Sequence, residues 1–264
     1  MVNFDDPMPY RLTDKSDIRM RLNTDRQWSL YALADLDDEM FAHCDWWGLA
    51  DGLALVFRGI AIRPIFVLGD TSLSRRLMAA LPVTTGYLNL KADQLNAAEG
   101  IYRYRERHEM HRMFLDAFEP SPGVVEVLAP STCREVEQLY ATGEGGGIAF
   151  APFQLQSGFF RGIRRNGELV AVAGVQVWSQ HEGVAAVGNI FTRPDRRGQG
   201  LAQIVTSAVV ASLKEAGIQT IGLNVNSTNT VAIRAYEHIG FRTHFGYFEG
   251  IADKVLTRGG GNPS

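Results

Sequence analysis

The sequence predicts an α/β fold in which helices cover both faces of a sheet. In the later half of the chain, apolar runs typical of strands alternate with segments of helical periodicity. Apolar residues recur at helical spacing in residues 201–216, which predicts a helix with one buried face. The pair Asn166-Gly167 lies between two apolar runs and predicts the tight turn of a hairpin.

The same patterns predict each element of the later half in order. Strands are predicted for residues 124–128, 159–163, 169–178, 184–192, 218–225 and 241–248. Helices are predicted from a cap at Ser131 or Thr132 through Tyr140, over the short segment 150–157, and over residues 201–216 and 229–239. Gly217 and Gly240 stand where the two long helices end.

The earlier half repeats part of this order less clearly. Residues 53–58, 64–68 and 86–90 are predicted strands, and residues 73–81 and 92–98 are predicted helices. A degenerate internal duplication and an unrelated smaller α/β lobe both stay open. Two prolines and a glycine in residues 119–123 interrupt any regular element. We therefore predict an N-terminal lobe (residues 1–121), a second domain (122–256) and a disordered tail (257–264).

Composition indicates an ordinary soluble globular protein. The 264 residues are 45% apolar and 21% charged, and 26 basic against 29 acidic residues give a net charge of −3. This charge gives no reason to expect nucleic acid or an anionic membrane as a partner. Cys44 and Cys133 match no metal-ligand spacing and suit a reducing compartment. No segment has the pattern of a signal peptide or a membrane-spanning helix, so we expect a cytoplasmic protein. Because the cysteines match no metal-ligand spacing, we also expect no metal.

The chemistry is predicted in residues 190–202, where a buried strand ends and a glycine-rich turn enters a helix. Pro194 prevents the strand from continuing, and Gly198 and Gly200 let the backbone approach a ligand closely. The first N–H groups of a helix lack internal partners and lie at the positive end of its dipole. Together with the charge of Arg197, this arrangement predicts a pyrophosphate site.

Two well-known phosphate-binding loops do not fit this segment. A P-loop needs a Lys and then a Ser or Thr after its second glycine, where Leu201 and Ala202 stand. A dinucleotide fingerprint needs a small residue three positions after Gly200, where Gln203 stands, and no ribose-binding acid follows. A tight strand-to-helix connection without a ligand remains an alternative for the glycines taken alone.

Two motifs resemble the signatures of the GNAT superfamily of acyltransferases. The first is Arg197-Gly198-Gln199-Gly200-Leu201-Ala202, which resembles the Arg/Gln-x-x-Gly-x-Gly/Ala signature that holds the pyrophosphate of coenzyme A. The second is residues 223–229 followed by Ala232, Tyr236 and Gly240-Phe241. The resemblance covers residues 124–250 and implies a mixed, largely antiparallel central sheet with helices on both faces. The preceding lobe resembles, in layout only, the glycine N-acyltransferase branch and tandem GNAT proteins.

The resemblance implies a role for each matching residue. The pantetheine arm and thioester would lie along Ile190, Phe191 and Thr192, and an N–H near Phe191 or Thr192 would meet the developing oxyanion. Asn229 would face the cofactor or only cap its helix. Tyr236 would be the general acid for the leaving thiolate, or an amphipathic core tyrosine. Acetyl-CoA is the implied co-substrate, with its pyrophosphate held by Arg197, Gly198, Gln199, Gly200, Leu201 and Ala202.

The sequence does not identify a general base. Some GNAT members carry a Glu on the strand before the capping Asn, but Asn224 stands there and cannot accept a proton. Glu182, Glu249, His244 and a chain of waters are alternatives, and each side chain is equally compatible with an ordinary polar role. Residues 143–153 occupy the region that covers the acceptor in the superfamily.

The N-terminal lobe lacks the pyrophosphate motif. Its predicted strand 64–68 enters a helix through residues 69–72, where Asp70 or Ser72 is predicted to be the cap. A carboxylate at that position repels a phosphate, so we predict that this lobe does not bind CoA and serves packing or acceptor selection. Trp46-Trp47 is predicted to contribute to the core or to a contact between lobes.

Three functions follow as hypotheses. The first is an N-acyltransferase that moves an acetyl or other short acyl group to the primary amine of a small molecule. The second is a CoA-binding sensor or interaction module without turnover, which Asn224 favours slightly. The third is a nucleotide-binding protein outside the superfamily. A monomer and a homodimer are both compatible with the sequence.

Overall fold

The computed structural model describes residues 7–144, 147 and 150–255, which form two compact units. The first unit contains the described residues up to Ala32, residues 38–110 and the residues from Gly246. The second unit contains Leu33–Asp37 and His111–Phe245. The predicted tail, residues 257–264, lies outside the described residues.

The first unit is built on a mixed sheet in the order β1-β2-β3-β4-β5. The β1–β2, β2–β3 and β3–β4 pairs are antiparallel, and α4 connects the parallel strands β4 and β5. The strands are β1 (Tyr10–Leu12), β2 (Cys44–Leu49), β3 (Gly52–Phe57), β4 (Pro64–Leu68), β5 (Thr85–Lys91) and β6 (Tyr102–Tyr104). The helices are α1 (Lys15–Leu22), α2 (Leu30–Ala34, of which residues 33 and 34 belong to the second unit), α3 (Asp38–Phe41), α4 (Thr71–Ala80) and α5 (Leu95–Ala98).

The second unit has the sheet order β13-β7-β12-β11-β10-β9-β8. Its strands are β7 (His108–Leu115), β8 (Glu126–Val127), β9 (Arg161–Arg165), β10 (Glu168–Ser179), β11 (Val184–Thr192), β12 (Thr220–Asn226) and β13 (Phe241–Lys254). Residues 108–110 of β7 and 246–254 of β13 belong to the first unit. Its helices are α6 (Cys133–Tyr140), α7 (Leu201–Glu215) and α8 (Thr230–Ile239). The β8–β9, β9–β10 and β10–β11 pairs are antiparallel, and β11 and β12 are parallel.

Helices cover both faces of the sheet in the second unit. Val205, Val209 and Leu213 of α7 and Ile239 of α8 pack with Leu223 and other apolar residues of one face. On the other face, Val136, Leu139 and Tyr140 of α6 pack with Val172 and Phe160. The predicted fold class, a mixed and largely antiparallel sheet with helices on both faces, is therefore confirmed. Among residues 7–144, 147 and 150–255, none of the helices has the length and hydropathy of a membrane-spanning segment.

Local sequence patterns located most elements of the second unit within a few residues. Asn166 and Gly167 both have positive φ, 53° and 83°, as a type I′ hairpin turn requires. The helical segment predicted for 150–157 is a 3₁₀ helix over Pro152–Ser157. β7 was not predicted, because its sequence shows no clean alternation of apolar and polar residues. Elements β1, β2, β6 and α1–α3 of the first unit were not predicted either.

The division into units differs from the predicted domain boundary between residues 121 and 122. Residues 111–121 belong to the second unit, where Asp116 N donates to Gly240 O (3.0 Å) and Glu119 N donates to Ile239 O (2.8 Å). In the first unit, residues 247–253 of β13 pair with β5. The prolines near residue 120 interrupt regular structure, but long-range backbone pairing decides which residues pack together. The predicted domains themselves stay a prediction.

The two units repeat one topology. In the first unit, β2, β3 and β4 form antiparallel pairs, and α4 leads to the parallel strand β5. In the second unit, β9, β10 and β11 form antiparallel pairs, and α7 leads to the parallel strand β12. A helix follows in both cases, α5 and α8 respectively. This repetition agrees with the hypothesis of an internal duplication.

A short early segment of the chain, Leu33–Asp37, is part of the second unit. Leu33 and Leu36 are buried, and Asp37 accepts a hydrogen bond from Ser179 Oγ (2.7 Å) at the end of β10. The Asp35 carboxyl is also buried. Burial, followed by the charge of Asp37, raises the pKa of Asp35 to about 7.

Asp35→Asn is expected to flatten the dependence of stability on pH. Between about pH 4 and pH 7 the folded chain keeps the Asp35 proton that the unfolded chain has lost, so the wild type becomes less stable as pH rises. The variant should therefore lose about 1–3 kcal/mol less than the wild type between pH 5 and pH 8, measured by urea unfolding at both pH values. Asp195→Asn is the control. Arg193 lowers the pKa of that exposed carboxyl, so the carboxyl is ionised in both the folded and the unfolded chain between pH 5 and pH 8, and its removal should leave the pH difference unchanged. An unchanged pH difference in Asp35→Asn would contradict the expectation.

Candidate active site

The parallel strands β11 and β12 separate at one end of their pairing. Residues Val184 to Val187 pair with Thr220 to Leu223, but β11 continues to Thr192 and β12 continues to Asn226 without pairing to each other. The facing edges of the two strands are therefore not hydrogen-bonded to each other there. Such an opening can accept an extended ligand that bonds to the strand backbone.

A β-bulge lies in β11 just before its end. Val172 pairs with Phe191 and Gly174 pairs with Gly188, so two residues of β11 face one residue of β10. Asn189 in this bulge has φ 54°, in the left-handed region. Beyond it, Arg193 N donates to Val170 O (2.9 Å) on β10. Because N–H directions alternate along a strand, the N–H of Thr192 points away from β10 and toward the opening.

The loop between β11 and α7 exposes backbone groups. Gly198 and Gly200 have φ 75° and 71°, and beyond the adjacent residues no heavy atom lies within 4 Å of a Cβ built on either. Gly200 is the N-cap of α7 and provides no side-chain cap, and Ile204 N donates the first helical bond to its carbonyl (3.1 Å). The N–H groups of the first turn therefore lack intrahelical partners, and open space lies in front of the glycines.

The arginines of this loop differ in their partners. Arg193 bonds to Asp195 (2.7 Å) and to Glu168 (2.7 Å), which satisfies its charge. Arg197 is exposed, and its Nε donates to the carbonyl of Thr192 (3.2 Å). Within the part of the chain that the structure describes, no carboxylate pairs with Arg197. Its charge is therefore available to an anion at the start of α7.

The sequence predicts functional roles for Asn229, which precedes α8, and for Tyr236 within it. Asn229 caps the helix, since its side chain accepts a hydrogen bond from Ala232 N (3.1 Å), and the predicted capping role is confirmed. Tyr236 is 7% exposed in the core between α7, α8 and the sheet. Burial raises the pKa of its phenol above the ordinary value, so Tyr236 stays protonated at neutral pH.

Comparison with known proteins identifies the region that carries these features. Residues 130–241 match the acetyltransferase (GNAT) family. The C-terminal region of this chain is a GNAT acetyltransferase domain. The matched range includes the bulge in β11, the glycine loop, Asn229 and Tyr236, and it ends at Phe241.

Curated relatives of the GNAT domain include two kinds of acetyltransferase. A mycothiol acetyltransferase of Streptomyces avermitilis is 35% identical over 88 residues, which is 33% of this chain and 28% of the relative. The [ribosomal protein bS18]-alanine N-acetyltransferase of Escherichia coli is 29% identical over 100 residues, which is 36% of this chain and 66% of the relative. The chain thus spans less than a third of the length of the first relative.

Solved structures resemble the chain over both units. An acetyltransferase of the GNAT family from Colwellia psychrerythraea has a TM-score of 0.56 at 13% identity, covering 94% of this chain and 99% of that one. A tandem GNAT protein from the clavulanic acid biosynthesis pathway has a TM-score of 0.57 at 11% identity, covering 95% and 99%. At these identities the likeness shows the fold, which is that of GNAT structures.

The candidates for a general base lie in different surroundings. Asn224 is the first residue of β12 beyond its pairing with β11, and its Oδ1 accepts from Arg112 Nε (2.9 Å) on β7. Glu182 precedes β11 at the end opposite to Thr192, roughly 25 Å along a strand of this length, so it would be remote from a thioester held near Thr192.

The other two side chains predicted as possible general bases are His244 and Glu249. His244 is exposed on β13, with its ring 5.6 Å from that of Phe114. Glu249 belongs to the first unit, where its carboxylate accepts from Tyr87 Oη (2.9 Å) and Tyr247 Oη (2.6 Å). His244, Glu249 and a water chain therefore stay open as predictions.

The predicted acceptor cover, residues 143–153, lies partly outside the described residues. A Cβ built on Gly143 would lie 2.9 Å from Pro194 Cγ and 3.3 Å from Phe191 Cζ, so this residue packs against the glycine-loop side of the GNAT domain. The Phe150 ring contacts that of Tyr140 (5.3 Å), and Phe153 is exposed.

In the first unit, side chains of that unit occupy the position that corresponds to the opening between β11 and β12. Only Pro64 and Ile65 of β4 pair with β5, so this parallel pair also separates. Trp28 Nε1 (2.8 Å) and Gln94 Nε2 (3.2 Å) then donate to the carbonyl of Val67. At the start of α4, Asp70 accepts from Leu73 N (2.8 Å), which confirms it as the predicted cap.

Sequence reasoning missed the residues that shape β11 of the GNAT domain. Asn189 lies within an otherwise apolar run, and since Asn is depleted in strands, its presence was a usable signal for the bulge. Tyr140 and Gln154, which bond to Asn189, gave no such signal because they are far from it in sequence. Arg112 lies on β7, a strand that was not predicted.

Proposed function

We propose that this protein is an N-acyltransferase that moves an acetyl or other short acyl group from acyl-CoA to the primary amine of a small molecule. The observation that carries the proposal is the position of the glycine loop. It connects the end of β11, where the pairing with β12 has stopped, through a 3₁₀ turn (Pro194–Arg196) to the first turn of α7, which has no side-chain cap. One continuous segment thus offers donors for an extended arm and for a diphosphate.

The residues of this segment fit acetyl-CoA. Open space in front of Gly198 and Gly200 accommodates the pyrophosphate, and Arg197 supplies an available positive charge. Gln199, Leu201 and Ala202 complete the segment with backbone N–H groups, as the family motif implies. The pantetheine arm would run along Ile190, Phe191 and Thr192, and Asn229 would face the co-substrate. The closed position in the first unit supports the proposal that only the second unit binds CoA.

Acetyl-CoA supplies an acetyl group activated as a thioester. The amine nitrogen forms a bond to the acetyl carbon, and the bond between that carbon and sulfur breaks. The proton that the nitrogen loses passes to solvent, directly or through one of the bases left open above, and solvent returns a proton to Tyr236 after each turnover. N–H directions alternate along β11, so those of Thr192 and Ile190 both point away from β10. These two N–H groups are therefore favoured as donors to the negative charge that develops on the thioester oxygen. Tyr236 would donate a proton to the leaving thiolate, and its raised pKa keeps that proton in place.

The acceptor is proposed as a class of molecule, together with the cellular location and the oligomeric state. The relatives named above differ in acceptor, one being named for mycothiol and one for an alanine of a ribosomal protein. The net charge of −3 lends slight support to a cationic small amine. We propose a cytoplasmic monomer or homodimer that acts without a metal, nucleic acid or membrane.

A CoA-binding sensor or interaction module is the alternative. Asn224 favours it, because a carboxylate base is absent at that position and Asn cannot take the proton of the amine. A sensor would bind CoA tightly and show no turnover with any amine. Nucleotide binding outside the family would instead give stabilisation by ATP or NAD.

Acetyl-CoA is expected to stabilise the protein against heat, whereas ATP and NAD are not. At a ligand concentration of 100 Kd the stabilisation should be about 2.7 kcal/mol, which differential scanning fluorimetry detects as a raised Tm. Thiol release from acetyl-CoA with a panel of primary amines then separates the enzyme from the sensor. Stabilisation by ATP or NAD alone would contradict the proposed function.

A further inference from the structure

One residue of the bulge, Asn189, is held by side chains from two other segments. Its carbonyl accepts a hydrogen bond from Tyr140 Oη (2.7 Å), at the last residue of α6. Its Nδ2 donates to Gln154 Oε1 (3.0 Å), in the 3₁₀ helix Pro152–Ser157. Both side chains are buried, with Tyr140 5% and Gln154 9% exposed.

The bonds of Gln154 extend this network to β10. Its Nε2 donates to the carbonyl of Gln176 (3.0 Å), and its Oε1 also accepts from Ala151 N (2.9 Å). The second N–H of the Asn189 amide points to the carbonyl of Val175 (3.4 Å). Hydrogen bonds within such a buried network strengthen one another, so the bulge is fixed from both sides.

The bulge benefits from this support because its backbone conformation is uncommon. The left-handed region costs most non-glycine residues about 1–2 kcal/mol and Asn less, and such a conformation persists where the surroundings over-determine it. The bulge also sets the direction of the backbone that follows, since an extra residue rotates the rest of the strand. The N–H groups of Ile190 and Thr192 thus depend on the conformation of Asn189.

We propose that Tyr140 and Gln154 are positioning residues that hold the bulge at Asn189 and thereby aim the N–H donors of β11 at the thioester carbonyl. The inference rests on the proposed function. Both residues flank the segment predicted to cover the acceptor, so the chain on either side of that segment is bonded to β11. Neither residue touches the reacting atoms. They act through the backbone of β11.

The test uses acetyl-CoA labelled with ¹³C at the thioester carbonyl and needs no acceptor. Polarisation by N–H donors should move the carbonyl resonance of the bound ligand downfield from its position in solution. In Tyr140→Phe and in Gln154→Met this displacement should shrink, while the Kd for acetyl-CoA stays within about threefold, because the pyrophosphate loop is unchanged. With an amine that the wild type acetylates, kcat should fall by about 10- to 100-fold.

Matched variants separate positioning from general loss of structure. Tyr102→Phe removes a tyrosine hydroxyl of similar burial that donates to a backbone carbonyl, Val83 O (2.9 Å), in the first unit, and should leave the resonance unchanged. Asn189→Gly tolerates the positive φ and keeps the carbonyl that Tyr140 bonds, so it should retain more of the displacement than Asn189→Ala.

The outcomes distinguish the inference from the function on which it rests. A wild type that does not bind acetyl-CoA would overturn both. Binding by the wild type, with an unchanged carbonyl resonance in folded Tyr140→Phe, would overturn the positioning role alone. If Tyr140→Phe does not fold, Gln154→Met and the two Asn189 variants decide by the same readout.

Discussion

Gly200→Val is expected to lose acetyl-CoA binding. Gly200 has φ 71° at the N-cap of α7, and the space beyond its Cα is open, so a valine would both strain the loop and fill the place proposed for the diphosphate. The loss of two hydrogen bonds to a charged group costs about 3 kcal/mol, so the Kd should rise by about 100-fold or more. Isothermal titration calorimetry with acetyl-CoA measures this change.

Gly217→Val is the matched control for that experiment. Gly217 follows the other end of α7, has φ 81°, and likewise has no atom near a built Cβ. The same substitution therefore imposes a similar backbone strain, of about 1–2 kcal/mol, away from the proposed site. Equal Kd values for Gly200→Val and the wild type would refute the proposed pyrophosphate site, and so would equal weakening in both variants.

Tyr236→Phe should lower kcat by about 100- to 10,000-fold, the usual contribution of a general acid. The ring remains, so packing with Phe241 (ring centroids 6.4 Å apart) and the affinity for acetyl-CoA should be retained. Steady-state kinetics measures kcat, and calorimetry measures the Kd. A core tyrosine without a chemical role would instead leave kcat close to that of the wild type.

The pH profile gives a second readout for Tyr236. An acid must be protonated to act, and burial raises the pKa of this phenol. The alkaline loss of activity caused by its ionisation is therefore shifted above the ordinary value of about 10. The kcat of the wild type should not fall between pH 7 and pH 9.5. Tyr104→Phe is the control. It removes another phenol whose pKa burial raises, in the first unit, and should leave kcat and its pH profile unchanged.

Features that depend on neighbours in sequence were predictable. The hairpin at Asn166-Gly167, the caps at Asp70 and Asn229 and the turn into α7 all follow from residue types that favour one local backbone conformation. The GNAT signatures were also predictable from neighbouring residues, because the N-terminus of a helix and the glycines before it lie within about six consecutive residues.

Features that depend on distant residues were not predictable. Local apolar patterning predicted β11 through residue 192, but not the point where its pairing with β12 stops or the bulge at Asn189. The prolines near residue 120 led to the boundary predicted there, which stays a prediction, whereas residues 111–121 pack with the second compact unit and residues 246–255 with the first. Strand pairing between residues far apart in the chain decides both.

The sequence by itself determined where the proposed diphosphate site lies, because the donors proposed for it come from one turn of the backbone and one adjacent arginine. Only the tertiary structure decided how the strand before that turn is aimed. Its direction results from Tyr140 and Gln154, which lie 49 and 35 residues from Asn189 and meet it only after the sheet and α6 have packed. Local chemistry is encoded in short motifs, whereas orientation depends on contacts that close long loops.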